Sequence, residues 1–76
     1  MTVKFYVNNT LTKYRILENV CRIEVLGDTR DDALDWLDLM SRNPDASPML
    51  NCNFYDKGED RWNWISIPIE LVMSIE

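Results

Sequence analysis

The sequence predicts a small α+β domain, antiparallel and β-rich, in which one amphipathic helix separates two three-strand units, βββ-α-βββ. Three observations lead to that expectation. Apolar and polar residues alternate before and after the middle of the chain, the period of strands with one buried face. The middle, Asp28 to Asn43, has a helical period instead. The two flanks also resemble each other, so the same strand unit is expected on either side of the helix. Residues 1–76 form one domain in this reading, because a chain of 76 residues has room for a single core.

Val3, Phe5 and Val7 alternate with Lys4, Tyr6 and Asn8, which predicts the first strand, and Asn8-Asn9-Thr10 reads as its turn. A second strand is expected from Lys13 to Leu17. The third, Val20 to Val25, turns Cys21, Ile23 and Val25 inward. Glu18 and Asn19 break the parity between these two strands, so a tight turn or a bulge is expected there. Gly27 and Asp28 then lead into the helix.

Thr29 is the expected N-cap, with Asp32 reaching back to it as in a capping box. Asp31 and Asp32 lie in the first turn, where the helix dipole favours carboxylates. Arg42, Asn43 and Pro44 are the matching stop signals. At a helical period Ala33, Trp36, Leu37 and Met40 share one face, flanked by Leu34 and Leu39, while Asp31, Asp35, Asp38 and Arg42 form an acidic ridge opposite.

Pro44 to Pro48 reads as a stiff loop. Leu50, Cys52 and Phe54 alternate with Asn51, Asn53 and Tyr55 as a fourth strand, Asp56 to Asp60 as a hairpin loop, and Arg61 to Ile67 as a fifth strand. Pro68 marks a break or an edge, since it cannot donate to a ladder. Ile69 to Ile75 is the sixth strand, and with no loop after it in this sequence it is expected to offer an edge for pairing. Leu17-Glu18-Asn19-Val20-Cys21-Arg22-Ile23-Glu24 aligns with Ile69-Glu70-Leu71-Val72-Met73-Ser74-Ile75-Glu76, identical at four of eight positions.

The composition narrows the function classes. Apolar residues make up 46 % of the chain and glycine plus proline only five positions, so a packed core is expected rather than disorder. The formal charge is −5, and Asp28 to Arg42 holds five aspartates against two arginines. That balance argues against direct nucleic-acid or membrane binding, both of which depend on cationic contacts. Neither an apolar signal segment nor a run of membrane-spanning length is present, so the expected compartment is cytoplasmic. Cys21 and Cys52 are expected as buried free thiols.

Catalytic and metal chemistry find little support. There is no histidine, which removes the commonest general base and any Ser-His or Cys-His pair. Two separated cysteines make no zinc site. Asp31-Asp32-Ala33-Leu34-Asp35 matches the Asp-Asp-x-x-Asp pattern with which isoprenoid synthases hold magnesium diphosphate. Those enzymes are large helical bundles with a second acidic motif, and Asp32 leaves the helical face that Asp31 and Asp35 share. A solvated helix face is the better reading, and no metal or other cofactor is expected.

Tyr6, Tyr14, Tyr55, Trp62 and Trp64 are the residues from which a stacking face could be built. Trp62 and Trp64 point the same way along their strand and read either as core or as an exposed interface patch. The leading expectation is a non-enzymatic interaction module that binds a protein partner or a second copy of itself through strand edges and the Trp62–Trp64 face. A core near the lower size limit, able to supply only about 3–5 kcal/mol, adds weight to self-association. Two alternatives stand beside it. One is an acidic inhibitor of phage or mobile-element type, with Asp31, Asp35 and Asp38 standing in for phosphates before a basic host protein. The other is a small-ligand binder with aromatic walls.

Overall fold

A computed structural model describes residues 1–42 and 49–76, apart from the side chains of Leu37 and Met40. Among the described residues seven strands are arranged in two antiparallel sheets: β1 (Val3–Tyr6), β2 (Tyr14–Leu17), β3 (Val20–Val25), β4 (Asp28–Arg30), β5 (Met49–Asp56), β6 (Arg61–Pro68) and β7 (Val72–Ile75). The first sheet has the order β2-β1-β7 and the second β4-β3-β5-β6.

The expected α+β class is therefore wrong: the domain is all-antiparallel β. No helix of seven or more residues occurs among the described residues. The predicted sixteen-residue helix is replaced by three different structures. Its first turn is strand β4, its middle a 3-10 turn, Ala33–Asp35, and its remainder a six-residue α-helical stretch, Trp36–Ser41. The cause lies upstream. Leu26 and Gly27 both have positive φ, 52° and 84°, the conformation of a two-residue hairpin turn, and it sends the chain back along β3 with Val25 opposite Asp28 and Ile23 opposite Arg30. Pairing on a formed strand outweighs the modest helix propensity of an aspartate-rich segment. The cap consequently moves from Thr29 to Asp32, whose side chain accepts a hydrogen bond from the Leu34 N–H at 2.9 Å. The expected stop at Asn43-Pro44 and the loop 44–48 lie outside the described residues, as do the side chains of Leu37 and Met40.

The strands follow their alternation with three local corrections. The expected sixth strand, Ile69 to Ile75, is a 3-10 turn over Ile69–Leu71 and a strand only over Val72–Ile75; the turn shifts the alternation, so Val72 packs on the core and Met73 is exposed. Val7, expected inward, is exposed because β1 ends at Tyr6 and the chain turns away, held by the Val7 N–H to Lys13 carbonyl bond of 2.9 Å. Cys21, expected buried, is exposed, and only Cys52 is buried. Pairing of β3 with β5 slips between Val20 and Arg22, where a bulge sets two residues against one. Val20 and Ile23 both point inward across that bulge, so Cys21 is turned out. The parity break read at Glu18-Asn19 is a separate corner, made by Asn19 at φ 59°.

Both similar segments pass from one sheet to the other. At Leu17 to Val20 the chain leaves the first sheet for the second, and at Ile69 to Val72 it returns through a 3-10 turn. Between the sheets lies one core: Val3, Phe5 and Leu17 from the first, Val20, Ile23, Val25, Leu50, Cys52 and Ile67 from the second, and Leu39 from the helical stretch. Met1 and Val20 exchange backbone hydrogen bonds of 2.7 and 3.0 Å, stitching the two sheets at one corner.

Candidate functional site

Residues directly opposite each other in an antiparallel ladder share a face. The second sheet therefore has an inner row of Ile65, Cys52 and Ile23 and an outer surface on which three rows precede the terminal Met49–Pro68 pair. Trp62 stands opposite Tyr55. Trp64 stands opposite Asn53, which faces Arg22. Ser66 stands opposite Asn51, which faces Glu24. The loop Lys57 to Asp60 sets this register, because it closes on the Asp56–Arg61 pair. Asp56 holds the loop by accepting from the N–H groups of Gly58 and Glu59 at 2.9 and 3.3 Å.

Trp62 and Trp64 do point the same way, and that way is outward: they are 56 % and 54 % exposed. Trp62 meets Tyr55 edge to face, with ring centroids 5.4 Å apart and planes at 66°. The Tyr55 hydroxyl in turn donates to the Asp60 carboxylate. Beyond the aromatics the face is polar and cross-linked. Ser66 donates to Asn51 at 2.6 Å and Asn51 to Glu24 at 3.2 Å, one ladder across three strands. Asn53 Oδ1, between Trp64 and Arg22, is buried and accepts no hydrogen bond from the described residues.

The five aromatics of the sequence reading do not form a single surface. Tyr6 and Tyr14 pair on the first sheet, whereas Tyr55, Trp62 and Trp64 gather on the second. On the first sheet Tyr14 and Ile16 are exposed, but their strands are short and Lys4, paired with Glu76 at 3.6 Å, interrupts the patch.

The acidic ridge is dispersed. Asp31 lies before the 3-10 turn and binds Arg22 at 2.8 Å. Asp38, in the helical stretch, binds Arg30 at 2.9 Å and Arg42 at 3.3 Å. Asp35 is exposed in the 3-10 turn and has no ion pair among the described residues. The hydrogen bond from Arg22 holds Asp31 below the usual carboxylate range, and that from Arg30 does the same for Asp38. Arg30, gripped by Asp28 and Asp38 together, is held in its charged form. Within the Asp-Asp-x-x-Asp pattern each carboxylate has a different setting, since Asp32 is the cap. Among the described residues no three acidic or cysteine side chains stand close enough to share a metal ion.

Sequence reasoning missed the outer polar rows, although the signal was present. With a loop closing on Asp56 and Arg61, Trp62 and Trp64 fall opposite Tyr55 and Asn53, and Ile65 and Ile67 opposite Cys52 and Leu50. The asparagines mark the tryptophan side as the solvent side. No family model matches the chain, and no significant similarity to a curated protein or to a solved structure is found.

Proposed function

We propose that this protein is a non-enzymatic docking module that binds another polypeptide chain through the free edge of β6 and the Trp62–Trp64 face beside it. The observation that carries this reading is two neighbouring tryptophans, each more than half exposed, on an eight-residue strand at the border of a sheet. Large aromatics are costly to leave in water and are enriched at the centres of interfaces. Asp31 and Asp38 take no part, being engaged by the chain's own arginines. A cytoplasmic setting fits two unpaired thiols, the state a reducing compartment maintains. Among the described residues no helix is long and apolar enough to cross a membrane.

A photo-crosslinking residue in place of Trp64, compared with one in place of Ile16 on the first sheet, tests the reading in the source cell. Protein adducts, to a partner or to the chain itself, are expected at position 64 and not at 16. Absence of adducts at 64, or equal yield at both, removes the docking surface.

A further inference from the structure

The free edge of β6 has features that specify its occupant. Pairing with β5 runs from Met49–Pro68 to Asp56–Arg61 without a register shift, and no charged side chain lies between Arg61 and Pro68. Edge strands are ordinarily blunted by bulges, inward charges, internal prolines or shortness. This one has a proline only at its last position, so its middle is a template for one more antiparallel strand. Every second residue of such a strand would face Trp62 or Trp64.

The loop end of the edge adds charge. Of the two loop acids and Asp56 at the end of β5, only Glu59 has a cation, Arg61 at 2.8 Å; Asp56 and Asp60 have none among the described residues. Asp60 is anchored by the Tyr55 hydroxyl, and Tyr55 abuts Trp62. An exposed indole beside a tyrosine that holds a carboxylate suits a guanidinium, which stacks on the ring and donates to the oxygen.

We propose that β6 takes up an extended, arginine-bearing segment of a basic partner protein as an added antiparallel strand. An arginine opposite Trp62 lies across the indole and reaches Asp60. This rests on the docking reading above and names its partner. A second copy is the poorer fit, because each chain has a net charge of −5 and, of the two cations at the loop end of this edge, Lys57 and Arg61, the arginine is already held by Glu59.

The test is titration of the intact protein with acetylated peptides of alternating valine and threonine bearing arginine at successive positions. Matched peptides carry citrulline or glutamate instead, and backbone amide shifts and tryptophan fluorescence are followed. The arginine peptides are expected to move the amides of Arg61 to Ile67 and to bind about tenfold tighter than their citrulline counterparts. Salt and Asp60→Asn both shrink that margin, and Asp60→Asn leaves citrulline binding unchanged. Equal binding of arginine and citrulline peptides at β6 overturns the arginine chemistry and leaves the docking reading intact. Failure of every peptide, together with a sedimenting dimer whose β6 amides are protected from exchange, overturns the basic partner in favour of a second copy. Failure of every peptide with a monomer overturns this proposal alone, since the docking reading is judged by the crosslink at position 64.

Discussion

The guanidinium of Arg30 binds the carboxylate of Asp38 at 2.9 Å, fastening β4 to the helical stretch whose Leu39 enters the core. Asp38 and Asp31, each paired with an arginine, ionise below the ordinary value of 3.8 in the folded chain. The unfolded chain therefore takes up their protons first as the pH falls. Stability from these pairs is present above about pH 4 and is lost as the pH drops through their lowered folded values. Because the carboxylates are exposed, the loss is modest. Urea midpoints recorded through this acid range should decline in the native chain and decline less in Asp38→Asn; identical slopes would remove the role given to the Arg30 pair.

Leu39 and Leu34 separate the observed fold from a continuous helix. Leu39 is fully buried, whereas Leu34 is 88 % exposed. Leu39→Ala is expected to cost about 2–5 kcal/mol, and Leu34→Ser to stay within about 0.5 kcal/mol. A helix from Asp28 to Asn43 with both leucines flanking its apolar face would make both changes costly. Denaturant unfolding of the two variants decides between them.

Leu26 occupies a left-handed position, φ 52°, with its side chain largely in water. For a leucine this backbone costs about 1–2 kcal/mol, and asparagine adopts it with less penalty. Leu26→Asn should raise the stability by about 1 kcal/mol, a gain of roughly 4–8 °C in Tm for a domain of this size. Leu26→Val, β-branched, should lower it. If Leu26→Asn destabilises, the β3–β4 turn is not the one described.

The two thiols should differ sharply in reactivity. Burial pushes the Cys52 thiol up to about 12, while Cys21 stands exposed on the bulge. A thiol-specific chromogenic reagent applied to the native protein should modify one cysteine quickly and the second only on unfolding. Cys21→Ser removes the fast phase. Two equally slow thiols would restore the inward Cys21 that simple alternation predicts.

The strands were readable because their signal is local: Val3 and Phe5, or Leu50, Cys52 and Phe54, show a period of two within a few residues. What was misread depends on distant partners. Ala33, Trp36, Leu37 and Met40 have a helical spacing, and nothing nearby reveals that Asp28 to Arg30 is claimed by β3. Leu26-Gly27 is a poor advertisement for a hairpin turn, since leucine seldom adopts positive φ. The direction of Cys21 depends on a slip against β5, which the β3 sequence does not contain. Trp62 and Trp64 lie between these cases: that they share a side follows from spacing alone, but which side is wet follows only from the register against Asn51 and Asn53.

β1 is hydrogen-bonded on one side to β2 and on the other to β7, with Thr2 and Glu76 exchanging backbone bonds of 2.8 and 2.9 Å. The first sheet thus joins segments separated by nearly the whole sequence, and that contact must be made against the entropy of closing the largest loop available. High contact order of this kind places folding at about milliseconds to seconds rather than microseconds. During synthesis Val3 and Phe5 remain uncovered on one flank until residues 72–75 have left the ribosome, so the nascent chain, more than the finished domain, is the form exposed to misassociation.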